Sequence, residues 1–193
     1  MIETERLILR PWRDTDRPAF AAMNADPQVM AHFPEVLDRA GSDALMDRLI
    51  GRWADEGFAF AAVERKADGA LIGMVGLARV RYETPVFGAT EIGWRLSRAA
   101  WGAGYADEAS RGWLAHGFEA LDLPEIVAFT VPANTRSQAL MLRLGMRRDR
   151  ARDFDHPSLP EGHRMRAHVV YALARDDWAR RREVAGGDRP FRA

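Results

Sequence analysis

An apolar strand that runs into two glycines one residue apart, and then into a helix, leaves a chain few ways to fold. This sequence has such a stretch at its centre. "TEIGWRL" (90–96) reads as a strand, and Gly102 and Gly104 follow in "WGAGYADEAS" (101–110). From Tyr105 to Leu121, small and apolar residues recur at 106, 109, 113, 114, 117, 118 and 121, the spacing of a helix of about four turns. Glycine at 102 and 104 removes side chains where the backbone must turn and where something must approach it closely. A helix N-terminus offers amide donors and the positive end of the macrodipole, so a strand–GxG–helix suits an anion such as a pyrophosphate. A tight turn that binds nothing satisfies two glycines as well. Two other phosphate loops do not fit. A Walker loop needs a lysine after its glycines, and none is there; a dinucleotide fingerprint needs a third glycine where this chain has Asp107.

The flanking elements set the fold class. "RLILRPW" (6–12) predicts a first strand, and "DTDRPAFAAMNADP" a short helix with Asp14 or Asp16 as its cap. In "GSDALMDRLIGRWADEG", Leu45, Met46, Leu49, Ile50 and Trp53 recur at helical spacing after Ser42, and Gly57 closes the helix. "FAFAAVER" (58–65) and "ALIGMVGLARV" (70–80) are strands joined by the Asp-Gly turn of "KADG". "EIVAFTV" (125–131) is a strand ended by Pro132. "NTRSQALMLRLG" is a helix with Asn134 as cap and Gly145 just past its end. "AHVVYAL" (167–173) is a last strand and "RDDWARRR" a terminal helix. No repeat or linker interrupts the chain. The order predicts one α/β (α+β) domain with a mixed sheet over 1–180, followed by a C-terminal tail at 181–193.

Composition narrows the function. At 193 residues, 47% hydrophobic and 29% charged, the chain can bury a full core. Formal net charge is zero, which argues against a nucleic-acid or membrane field; the arginine clusters at 147–152 and 180–182 read as solvated faces. There is no cysteine, so disulfides, thiolate metal sites and a cysteine nucleophile are excluded. The opening "MIETERLILRPW" has no apolar segment of a signal peptide, and no apolar run approaches the roughly eighteen residues of a membrane helix. A cytoplasmic protein is expected.

Motif and order together resemble the GNAT N-acetyltransferase superfamily, in its ribosomal-protein N-terminal acetyltransferase (RimJ/RimL-like) branch. "ETERLILRPWRDTD" resembles that branch's opening, "NADPQVMAHFP" the segment that follows, and "LIGMVGL" its central strand. "EIGWRLSRAAWGAGYADEA" is similar to the acetyl-CoA motif, and "NTRSQALMLRLGM" to the second CoA-side motif, so the likeness runs from about residue 3 to 175. The resemblance implies a splayed sheet. The pantetheine arm of acetyl-CoA would enter between the strands at 90–96 and 125–131 and pair with backbone near Trp94 and Leu96. The pyrophosphate would lie on the amides of Gly102, Ala103, Gly104, Tyr105 and Ala106. The side chain that the superfamily places three residues before the first glycine is absent, since Ala99 stands there and Arg98 lies one residue off.

The resemblance also implies roles. Glu91 is the candidate general base, acting through water. Many members carry a tyrosine seven residues beyond the motif's asparagine; here that position is Met141, which leaves Ser137 as the candidate partner of the thiol sulfur. Asn134 would serve as helix cap and pantetheine ligand together. A weak base suffices for an α-amino acceptor, about a tenth neutral at pH 7, whereas a lysine amine is neutral in only about one part in several thousand. His32, Phe33, Trp53 and Phe58 are candidates for an acceptor-side wall. His156, His163 and His168 fall in "FDHPSLPEGHRMRAH" with Asp153 and Asp155 nearby, but in no zinc-ligand spacing. That segment reads as a loop that lines the acceptor pocket or faces solvent, with a histidine as alternative base and no metal expected. The partner is a small-molecule amine or a protein N-terminus. The rival reading is a non-catalytic acyl-CoA-binding or regulatory module.

Overall fold

The computed structural model describes residues 1–184. They form two compact units, one of Met1–Ala78 with Gly93–Trp113, the other of Arg79–Ile92 with the chain from Leu114 onward. The chain crosses between them inside two strands and inside one helix, so no linker separates them.

In the first unit, β1 (Ile2–Glu3), β2 (Leu7–Arg10), β3 (Phe60–Arg65) and β4 (Ala70–Arg79) form an antiparallel meander, and β5 (Thr90–Leu96) is the next strand. Two helices, α1 (Arg17–Asn24) and α2 (Arg39–Glu56), connect β2 to β3. Their apolar faces bury Phe20, Met23, Met46 and Leu49 with Trp12, Val29, Ala62 and Met74. Asp16 stands at the N-cap position of α1, but its carboxylate turns back: it takes Arg10 Nη1 and Nη2 at 2.7 and 2.9 Å and the Arg13 amide at 2.8 Å. Arg10 Nε also meets Glu64 at 2.6 Å, which ties β2, β3 and the start of α1 together.

The start of α2 corrects the sequence reading. Asp38, not the neighbourhood of Ser42, caps it, accepting the Gly41 amide at 2.7 Å. Ser42 is fully buried, and its hydroxyl takes the Asn24 side-chain amide at 2.9 Å instead. Gly57 closes the helix in a left-handed conformation (φ 77°), as its position predicts. The close approach of β4 to β5 fixes Gly73, where a Cβ would lie 2.4 Å from the Arg95 carbonyl oxygen.

The first half of β5 belongs to the second unit, where it meets β6 (Glu125–Thr130) in parallel at Glu91↔Val127. That is the one register pair of β5 with β6 among the described residues, so the strands are paired at the start of β5 and not along it: the sheet is splayed there. β6 then runs antiparallel to β9 (Ala167–Ala174) over six register pairs. Two-residue strands β7 (Arg147–Arg148) and β8 (Phe154–Asp155) also pair with β9, the second inside the segment expected to be loop. Helix α3 (Tyr105–Glu119) enters from the first unit, α4 (Thr135–Arg143) follows β6, and α5 (Arg175–Val184) follows β9. Of the expected tail, residues 181–184 belong to α5, and 185–193 lie outside the described residues. The result is a mixed α/β domain with a mostly antiparallel, splayed sheet. No helix among the described residues is long and apolar enough to cross a membrane.

Candidate functional site

The glycine loop lies wholly in the first unit. Gly102 and Gly104 both adopt left-handed backbone, at φ 76° and 82°. A Cβ on Gly102 would meet nothing within 4 Å, so it is not neighbouring protein that excludes a side chain there. The first backbone bond of α3 runs from the Glu108 amide to the Gly104 carbonyl at 3.1 Å, and helix geometry leaves the amides ahead of it without intrahelical acceptors. Two acidic residues in that first turn would repel an anion, but both are neutralised. Asp107 pairs with Arg111 at 2.6 Å. Glu108 takes Arg6 Nε and Thr4 Oγ1, each at 2.6 Å, and the Arg6 amide at 2.8 Å. Burial would raise the Glu108 carboxyl, yet these bonds hold it below the usual range. Arg6 also donates to the Ala103 carbonyl at 3.0 Å and lies over the Tyr105 ring at 4.6 Å, which braces the loop. Exposed glycines, orphan amides and compensated carboxylates together suit a pyrophosphate.

Beside the loop, Trp101 donates its indole N–H to the Leu96 carbonyl at 2.9 Å. Trp94 is half-buried and Leu96 buried.

The second unit holds the expected acid–base residues. Glu91 is half-buried at the point where β5 and β6 pair. Asn134 caps α4, as its position predicts: its carbonyl oxygen takes the Ser137 amide at 3.2 Å while its amide donates to Thr130 Oγ1 at 3.0 Å. Ser137 is half-buried one turn into the helix, and Met141 is packed into the interior.

The proposed acceptor wall is divided in character. His32 and Phe33 lie half-buried in the connection between α1 and α2. Trp53 sits edge-on to Trp113 with ring centroids 6.0 Å apart, and Phe58 is buried as a packing residue. Sequence reasoning missed the residue beneath Phe33. The guanidinium of Arg95 lies 3.9 Å from the centre of the Phe33 ring and donates to Asn24 Oδ1 at 2.6 Å.

Two of the loop histidines join an aromatic cluster in the second unit. His168 stacks on Phe154 at 5.2 Å, His156 lies 5.4 Å from His168, and Tyr82 lies 4.8 Å from His156. Burial pushes both imidazoles below the ordinary histidine range, which favours their neutral form. His163 accepts the Met165 amide at 3.2 Å. Among the described residues no group of three or more histidine, aspartate or glutamate side chains is arranged to hold a metal ion.

Comparison with known proteins bears on this geometry. Residues 6–147 match the family model described as an acetyltransferase (GNAT) domain. The chain is 30% identical to the uncharacterized N-acetyltransferase YnaD of Bacillus subtilis, covering 92% of this chain and 98% of the relative. A GNAT-family acetyltransferase from Bacillus anthracis superposes with a TM-score of 0.74 at 26% identity, over 91% of this chain and 98% of that one. Mycobacterium smegmatis RimJ, solved in complex with CoA-disulfide, shares the fold with a TM-score of 0.72 at 22% identity, over 93% of this chain and 89% of that one.

Proposed function

The chain belongs to the GNAT acetyltransferase family, and from that premise we propose that it moves an acetyl group from acetyl-CoA directly to a primary amine within a ternary complex. We place it in the RimJ/RimL-like branch, with a protein N-terminus or a small molecule as acceptor. The observation that carries the reading is the glycine loop: two left-handed glycines ahead of a helix whose acidic first turn is neutralised by Arg6 and Arg111, with Thr4 donating a hydrogen bond to Glu108.

Acetyl-CoA, when bound, supplies the activated acyl carbon. The amides from Gly102 to Ala106 would hold its pyrophosphate, and, as the family resemblance implies, backbone near Trp94 and Leu96 and the side chain of Asn134 would hold the pantetheine arm. Glu91 accepts, through water, the proton that the acceptor amine sheds as its nitrogen bonds the acyl carbon. Ser137 would donate a hydrogen bond to the thioester sulfur, the leaving group of the transfer. The chain has no cysteine to form an acyl-enzyme, and the rate comes from positioning amine against carbonyl.

The test is thiol release from acetyl-CoA by purified protein across N-terminal peptides, N-blocked lysine peptides, amino acids, polyamines and aminoglycosides. Because the protein has no thiol of its own, a thiol reagent reports liberated CoA alone. Release stimulated by one acceptor class supports the reading and identifies the class. A thermal shift by acetyl-CoA with no stimulated release refutes turnover and supports a binding module. No shift at all removes acetyl-CoA as ligand.

A further inference from the structure

Arg95 is 8% exposed, on β5, four residues after Glu91. Among the described residues it makes one hydrogen bond, from Nη1 to the neutral side chain of Asn24, and one ring contact, with Phe33. Its Nε–H is buried with no partner. A guanidinium carries five donors, and burying it without a counter-charge is costly. Burial with no carboxylate beside it pushes this side chain down to about 10, still charged at neutral pH.

The same unit contains a contrasting case. Arg10 is 4% exposed and is matched by both Asp16 and Glu64. An arginine used to pin this fold is thus given carboxylates. Arg95 is instead held in place by a neutral relay, in which Ser42 takes the Asn24 amide and Asn24 takes Nη1 of Arg95. Among the described residues Nη2 has no bond either, and a charge-assisted bond from it to a carboxylate is a strong one, while the Nε–H beside it is enclosed. Phe33, a candidate for the acceptor wall, covers the group.

We propose that the acceptor amine carries a carboxylate and that Arg95 binds it. The inference rests on the transferase reading above for the word acceptor. One guanidinium balances one negative charge, which favours a carboxylate over a phosphate dianion. Arg95 is therefore a specificity residue, selecting small amino acids over simple amines, polyamines or aminoglycosides.

The experiment compares matched acceptors that differ only at the acid: glycine, methionine, glutamate, lysine, β-alanine and 4-aminobutyrate against their carboxamides. For at least one pair, kcat/KM favours the acid by roughly 10- to 100-fold, the worth of a charge-assisted hydrogen bond. In Arg95→Met this ratio falls toward one, and in Arg95→Lys, which keeps the charge without the fork, it is intermediate. Equal rates for acids and amides in the wild type, or a ratio unchanged in Arg95→Met, overturn the proposal. A readout without turnover separates it from the transferase reading. With CoA present, N-acetylglycine and N-acetylmethionine raise the melting temperature and their amides do not. If no acceptor releases thiol, transfer fails as a function, while this pair of shifts still decides Arg95: a shift by the acids alone supports it, and equal or absent shifts sink it.

Discussion

Replacing Gly102 by alanine separates a glycine kept for its ligand from one kept for its backbone. At φ 76° an L-residue pays a left-handed penalty of roughly 1–2 kcal/mol, and a Cβ there would touch no protein atom. The stability loss is therefore strain alone, about 2–8 °C in melting temperature for a domain of this size. Gly57 offers a matched control in the same unit: its φ is 77°, its Cβ would also meet nothing within 4 Å, and it closes α2 rather than opening α3. Gly57→Ala and Gly102→Ala should thus lose the same stability. They should differ in cofactor binding, because only at 102 does the methyl fill the space assigned to the pyrophosphate. Losing one charge-assisted amide contact costs about 1.5–3 kcal/mol, which raises KM for acetyl-CoA by roughly 10- to 150-fold. Thermal denaturation and initial rates across acetyl-CoA concentration, at saturating acceptor, measure both. Equal KM values in the two variants would falsify the assignment of the loop.

Three further predictions follow from the same geometry. Glu91→Gln keeps the acetyl-CoA thermal shift but lowers kcat by roughly 10²- to 10⁴-fold; turnover near wild type removes Glu91 as base. Asp16→Asn breaks a buried pair, and since Arg10 retains Glu64 the cost sits at the low end, about 3 kcal/mol or roughly 6–12 °C in thermal melts; a shift under 2 °C or so would show the pair contributes little. His156 and His168 are held below their unfolded value near 6.5 by burial, so the unfolded chain binds protons that the folded one does not. Stability therefore declines as pH falls through about 6.5, and His168→Asn flattens melting temperature between pH 7.5 and 5.5; an unchanged slope refutes the buried-histidine account.

What the sequence disclosed was governed by how local each determinant is. β5 occupies Thr90–Leu96 and α3 opens at Tyr105, because alternation, glycine and helical period act over a few neighbouring residues. The Asn134 cap and the Gly57 stop were legible for the same reason. The start of α2 was not. Asp38 and Ser42 are both capping types, and the choice was made by Asn24, which lies 18 residues from Ser42 in the chain and claims its hydroxyl. β1, β7 and β8 have two residues each, too few for any period to register, and exist through pairing with β2 and β9.

Arg95 marks the same boundary within the candidate site. In "RLILRPW" and "EIGWRLS", Arg10 and Arg95 each follow an apolar residue in a stretch that also carries a second charge, Arg6 or Glu91, and strand alternation gives no reason to bury either arginine. Both are buried, and only the contacts tell them apart: two carboxylates for Arg10, an amide and a phenyl ring for Arg95. The Arg95 contacts come from α1, where Asn24 lies 71 residues from Arg95, and from Phe33 in the connection after it. A strand pattern reports which face a side chain takes, not what awaits it there. Burial without a counter-charge is a tertiary property, and it is the one that points beyond the cofactor loop to the chemistry of the acceptor.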